Sequence, residues 1–145
     1  MGRPIADDRA TAITRLTGAR VAHLGTRGPD GEVRLVPICF AVDGDRIVAA
    51  VDHKPKRTLQ LARLADMEQT GRATVLVDHY DDTDWSELWW VRVTGRASVH
   101  ASGDALAMMT VRRLAHKYAQ YRETPPAGPT YSITIEHLTW WSATP

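Results

Sequence analysis

The sequence predicts a mainly β (α+β) domain, an antiparallel barrel of six strands, closed or partly closed, with short flanking helices. Three observations predict it. Six apolar or alternating runs have the length and β-branched content of strands. Most are joined by tight turns of Gly, Pro and Asp, which suit antiparallel neighbours. Helical stretches are too few to cross over between nearly every strand pair, as a parallel sheet requires.

Residues 6–17 (ADDRATAITRLT) read as a short helix capped by Asp7 or Asp8, with Ala10, Ile13, Leu16 and Thr17 on one face. Gly18 is its stop signal. Arg20 to Thr26 alternates as a strand, Val21, His23 and Gly25 on one face and Ala22 and Leu24 on the other. Gly28-Pro29-Asp30-Gly31 is a turn, and Glu32 to Val42 is the hairpin partner, with Pro37 at a bulge or edge. Asp43-Gly44-Asp45 turns the chain into an apolar strand, Ile47 to Val51. Arg72 to Tyr80 is a further strand, and Asp81 to Ser86 an acidic loop. Glu87 to His100 is a long strand that Gly95 bends or bulges. Asp104 to Tyr121 is a helix carrying Leu106, Met109, Val111, Leu114, Tyr118 and Tyr121, with Cys39 expected in the core of an earlier strand. Tyr131 to Trp141 closes the sheet.

The stretch Arg46 to Leu64 (RIVAAVDHKPKRTLQLARL) organises the chain. Its strand breaks at Asp52-His53, and a helix follows in which Leu59, Leu61, Ala62 and Ala65 recur at helical spacing, with Leu64 alongside. Pro55 suits the first turn of that helix. Lys54, Lys56 and Arg57 do not, because the macrodipole is already positive there, and each costs about a few tenths of a kcal/mol. A bound anion reverses that cost, and backbone N–H groups beside Lys and Arg make a phosphate site. The alternative is a set of solvated loop cations. Only three of the eighteen Lys and Arg residues are lysine, and two fall in this tetrapeptide.

At 145 residues the chain is expected to form one domain, 1–145. A formal net charge of +1 argues against nucleic acid as partner. One cysteine gives no internal disulfide, and no apolar run reaches the ~18 residues of a membrane span. The start lacks a signal-peptide core, so a cytoplasmic location is expected. Scarce lysine and absent asparagine fit a GC-rich genome.

The six histidines are scattered without zinc-ligand spacing, so no metal is expected. Asp78, Asp81, Asp82 and Asp84 lack the glycine and terminal glutamate of a calcium loop and read as a solvated turn. No Gly-x-Ser-x-Gly, Walker A or dinucleotide fingerprint is present. Trp85, Trp89, Trp90, Trp140 and Trp141 stand against one phenylalanine. Each adjacent pair on a strand sends one ring inward and one outward. An outward indole marks an interface or a ligand wall.

The order of elements, with LVPICF, the HKPKR helix start, VDHYDDTDWSELWWVR and VRVTGRA, resembles the pyridoxamine 5′-phosphate oxidase-like split β-barrel flavoproteins. Within them it looks most like the actinobacterial subgroup that uses the deazaflavin coenzyme F420. The resemblance spans about Ile13 to Trp141. It implies a homodimer with cofactors in grooves between subunits. It further implies that Val36, Pro37, Ile38, Ala49, Ala50 and Val51 line the ring system and that Lys54, Lys56 and Arg57 hold the phosphate. His79 and Trp89 or Trp90 would lie near the groove. The B6 oxidases end in an arginine- and histidine-containing segment that grips substrate phosphate. Here Trp140-Trp141-Ser142-Ala143-Thr144-Pro145 stands in its place, so another substrate is expected.

The implied activity is an F420-dependent reductase moving hydride between the deazaflavin and a small conjugated molecule. The cofactor ring performs that step, and no catalytic side chain is assigned. FMN in place of F420 is the nearest variant. A non-catalytic carrier of deazaflavin, flavin or tetrapyrrole is the alternative of a different class.

Overall fold

The computed structural model describes residues 5–51 and 57–144, with side chains over 8–51 and 62–144. The strands are β1 (Ala22–Arg27), β2 (Val33–Ile38), β3 (Ala41–Asp43), β4 (Arg46–Ala50), β5 (Arg72–His79), β6 (Trp89–His100) and β7 (Thr130–Ser142). The helices are α1 (Ile5–Gly18), α2 (Arg57–Thr70), α3 (Ala105–Lys117) and α4 (Ala119–Glu123). A single 3₁₀ turn, Trp85–Glu87, lies between β5 and β6.

The sheet has seven strands in the order β2-β1-β5-β6-β7-β4-β3, not the six expected. The extra strand comes from the expected run Glu32 to Val42, which divides at Cys39-Phe40. Its two halves pair with different strands, β2 with β1 and β3 with β4, and form the two outer edges of the sheet. Ile38 and Ala41 are three peptide units apart, so their Cα atoms are separated by no more than about 11 Å. Edges tied that closely force the sheet to curl on itself, which is a half-closed barrel. Pro37 sits on edge strand β2, where its missing N–H costs no ladder bond.

Local chemistry sets the corners. Gly28 and Glu32 close the first hairpin (N–O 2.8 Å), and the Asp30 carboxylate accepts the Glu32 N–H at 3.1 Å. Gly44, at φ 62°, takes the first central position of the two-residue β3–β4 turn, which a side chain would strain. At Gly95 the β6–β7 register shifts, and a Cβ there would overlap the Thr134 carbonyl. The expected bend is therefore a β-bulge with Glu136 as the extra residue, and glycine is what lets β7 come so close.

The inner face carries the core. Ala22, Leu24 and Thr26 alternate inward on β1, as do Val91 and Val93 on β6, and α1 and α2 add Ala12, Leu16, Leu64 and Met67. Three helix faces differ from expectation. On α1, Ala12 and Leu16 are buried while Ala10 and Thr17 are exposed. On α2, Asp66 and Met67 are buried and Ala65 is exposed. On α3, Ala107, Thr110 and Leu114 are buried, whereas Leu106 and Met109 are exposed. A helix buries what its partner surface reaches, and small residues such as Ala107 allow the closest approach, which apolar spacing alone does not reveal. The expected single helix to Tyr121 also breaks, at Tyr118 (φ −119°, ψ 121°). Cys39 is exposed rather than in the core, because it lies in the crossover outside any ladder. A second cluster, Ala41, Val48 and Leu114 with Ala50, Tyr118 and Tyr121, packs α3 and α4 on the outer side of β3 and β4.

Candidate functional site

The seam between the sheet edges is held by residues from three parts of the chain. The Phe40 N–H donates to the Tyr118 hydroxyl (3.2 Å), and that hydroxyl lies 2.9 Å from the Arg20 carbonyl and 3.0 Å from the Phe40 carbonyl. Lys117 donates to the Ala19 carbonyl at 2.6 Å, with its ammonium 4.0 Å from the Phe40 ring centre. The Arg20 guanidinium donates to the Lys117 carbonyl at 3.1 Å and stacks over the Tyr118 ring. The Lys117 pKa is lowered to about 8, chiefly by burial and also by the Arg20 charge, with Cys39 opposing both. Burial also raises the Tyr118 pKa.

The segments expected to line a ring border this seam. Ile38 is buried, Val36 half-buried and Pro37 exposed. Ala41 pairs with Val48, so the chain before Ala41 runs along Ala49 to Val51. Ala49 is fully buried in the barrel core, so it does not line an open surface in one chain. Ala50 turns to the opposite side, against Tyr118 and Tyr121 in the α3 cluster. The Val51 N–H donates to the Pro129 carbonyl at 3.1 Å. Beside it a cavity of about 540 Å³ opens between Leu64 and Glu68 of α2, Val99 and Ala101 at the end of β6, and Pro129. That volume is within the range of small-molecule sites. Lys54 and Lys56 lie outside the described residues, as does the side chain of Arg57, whose backbone begins α2.

His79, Trp89 and Trp90 stand elsewhere. Trp89 is packed between Arg15 (5.1 Å) and His79 (6.0 Å, 22° between planes). Trp90 pairs with Trp141 on the outer face, under the Arg92 guanidinium at 5.2 Å. Trp89 and Trp140 face inward, as the alternation requires. On β7, Ser142 and Trp141 pair with Trp89 and Trp90, while Tyr131 and Thr130 pair with Ala49 and Ala50. One chain thus keeps the two sets of expected site residues at opposite ends of a 13-residue strand.

Sequence reasoning missed the polar group beside Ala50. His100 Nε2 and Ser132 Oγ are 3.0 Å apart, and Thr130, which pairs with both Ala50 and His100, is fully buried. Burial pushes the His100 pKa down, Arg46 adds to this, and Asp104 opposes it. It also missed Asp66, whose buried carboxylate accepts from the Thr26 hydroxyl at 2.9 Å and lies 3.6 Å from Arg34. Among the described residues no cluster could hold a metal ion, and no helix is long and apolar enough to cross a membrane.

The sequence profile of the family described as pyridoxamine 5′-phosphate oxidase matches residues 9–143. The chain belongs to that family. The family resemblance read from LVPICF and VRVTGRA is thereby established at the level of the family. Solved structures share the fold of this pyridoxamine 5′-phosphate oxidase family member. The conserved protein Rv2991 from Mycobacterium tuberculosis has 17% identity and a TM-score of 0.71, over 99% of this chain and 87% of that one. An FAD binding protein from Mycobacterium smegmatis has 17% identity and a TM-score of 0.61, over 91% of this chain and 92% of that one. HutZ, a heme storage protein from Vibrio cholerae, has 11% identity and a TM-score of 0.67, over 97% of this chain and 95% of that one. At such identities the likeness is one of fold. Comparison with curated proteins finds no match.

Proposed function

We propose that this family member is an F420-dependent reductase that transfers hydride between the deazaflavin and a small conjugated molecule. The observation that carries the reading is the β4 end. Val51, just after β4, donates its N–H to Pro129, which lines a cavity of about 540 Å³, and in the sequence Lys54, Lys56 and Arg57 follow within six residues, Arg57 opening α2. A flat ring followed by a phosphate fits that order. Glu68 in the cavity wall repels a phosphate, which directs the anion toward the α2 start and leaves the cavity for the ring. When bound, the deazaflavin supplies the hydride chemistry, and the chain's residues bind, orient and exclude water.

A second subunit completes the site in this reading. A two-fold partner brings the Trp89–Trp90 end of one barrel to the β4 end of the other, which one chain keeps apart. The surface for it is the outer sheet face, where Val33, Leu35 and Trp141 are 67%, 71% and 46% exposed. Leu35→Arg and Trp141→Arg should each turn a dimer into monomers in light scattering. A wild-type protein that scatters as a monomer at micromolar concentration removes the groove.

Separate titrations of the purified protein with F420, FMN and haem, followed by fluorescence or absorbance, test the cofactor. F420 should bind at least about tenfold more tightly than FMN. Tighter FMN binding makes the protein a flavoprotein of the same fold, and tighter haem binding makes it a tetrapyrrole carrier. Reduced F420 should be oxidised faster when a conjugated acceptor is added, which a carrier does not do.

A further inference from the structure

The segment joining β5 to β6 presents an indole to solvent on a built support. Trp85 is 66% exposed, yet the turn beneath it is fixed at several points. Asp81 accepts from both the N–H and the hydroxyl of Thr83 (2.9 and 2.7 Å), and Asp84 from both groups of Ser86 (3.0 and 2.6 Å). The Tyr80 hydroxyl donates to Asp82 at 2.9 Å, and the Thr144 hydroxyl donates to the Ser86 carbonyl. A large ring held in water by a pre-ordered turn loses little entropy when it is covered, which is the profile of an interface anchor. Residues 78–88 carry five carboxylates and no Lys or Arg.

The complementary chemistry lies on α3 and α4. Together these two helices carry four Lys or Arg and one carboxylate, Glu123. Between α3 and the segment 126–128 is a cleft of about 320 Å³, lined by Met108, Val111, Arg112 and Pro126 among others. Met108 and Arg112 are four residues apart on one helix face, so both flank its opening. A thioether and a guanidinium are both favourable partners for an indole face.

We infer that the Tyr80–Glu87 loop of one copy docks on α3 of a second copy, with Trp85 in the Met108–Arg112 cleft and the loop carboxylates facing Arg112. The opposite charge of the two surfaces selects a second copy as the occupant. The contact does not use the outer sheet face, and its cleft shares Ser102 with the cavity beside β4, whereas Met108 and Arg112 line the cleft alone.

Sedimentation velocity over a micromolar concentration series tests it. The wild-type mass should rise with concentration above that of Trp85→Ala, and should fall back as salt is raised. Trp85→Ala and Arg112→Glu should each move the association midpoint at least about tenfold, with thermal melts unchanged. Glu87→Arg should weaken it similarly. An equimolar mixture of Glu87→Arg and Arg112→Glu should recover association that neither shows alone. A dimer formed through the outer sheet face persists in all these variants and does not confuse the reading. Superimposable mass curves for wild type and Trp85→Ala, or a mixture that recovers nothing, overturn the inference.

Discussion

The Tyr118 hydroxyl accepts the N–H of Phe40, 78 residues earlier in the chain, and shares its one proton between the Phe40 and Arg20 carbonyls. Phe40 lies in the two-residue crossover that closes the barrel, outside any ladder, so a side chain must replace the bonds a sheet would supply. This accounts for the break between α3 and α4 at Tyr118. Continued helix would carry the ring away from the seam.

Tyr118→Phe should therefore cost about 1–3 kcal/mol, the range for a buried donor left without its partner. Denaturant unfolding should show a lower midpoint at an unchanged slope. Hydrogen exchange should quicken at Phe40 before it quickens in the core strands.

Lys117 makes stability depend on pH in a definite direction. Its pKa is about 8 when folded against an ordinary value of 10.5, so between these the unfolded chain holds more protons. Stability should rise with pH across that window. Tyr118 has the opposite sign, because its raised pKa removes stability above its ordinary 10.0. The difference between wild type and Lys117→Met in unfolding free energy, followed from pH 7 to about 10, should carry the Lys117 share. A difference that is flat with pH refutes it.

Among the described glycines, Gly95 is where an added methyl should be most damaging. Its Cβ would meet backbone, the Thr134 carbonyl, which cannot swing aside as a side chain would. A loss of about 3 kcal/mol or more is expected. Circular dichroism melts should show it clearly beside Gly18→Ala, where a Cβ meets nothing within 4 Å.

Asp66 ties α2 to the first hairpin. Asp66→Ala should cost about 1–3 kcal/mol by stranding the buried Thr26 hydroxyl. Thr26→Val in the same background should cost less than it does alone. Chemical denaturation of the four proteins of this cycle measures the coupling directly.

Lys56→Ala and Arg57→Ala should separate binding from stability. Cofactor affinity should fall about ten- to a hundredfold for each, as for a lost charge-assisted contact. The cofactor-free melting temperature should hold or rise slightly, since a cation leaves a positive helix end. Unchanged affinity returns these residues to the status of solvated loop cations, and a lowered melting temperature makes them structural.

The sequence by itself determined the parts of this protein that neighbouring residues decide. The alternation of Ala22 and Leu24 against His23 placed one face of β1 inside, and Gly31, Gly44 and Pro37 marked corners and an edge. LVPICF and VRVTGRA carried enough of the pattern to identify the family. What only the tertiary structure decided depends on residues far apart. That Glu32 to Val42 divides between opposite sheet edges follows from the stagger of closure, for which no local propensity codes. Which helix faces are buried, why Cys39 is exposed, and why Lys117 and Tyr118 meet Ala19 and Arg20 across 98 residues all follow from that closure. The same stagger keeps Trp89 and Ala50 at opposite ends of the sheet, although both were read as belonging to one site. Spacing along a chain reports which side chains share a face, whereas distance across a curled sheet is set by how its edges meet.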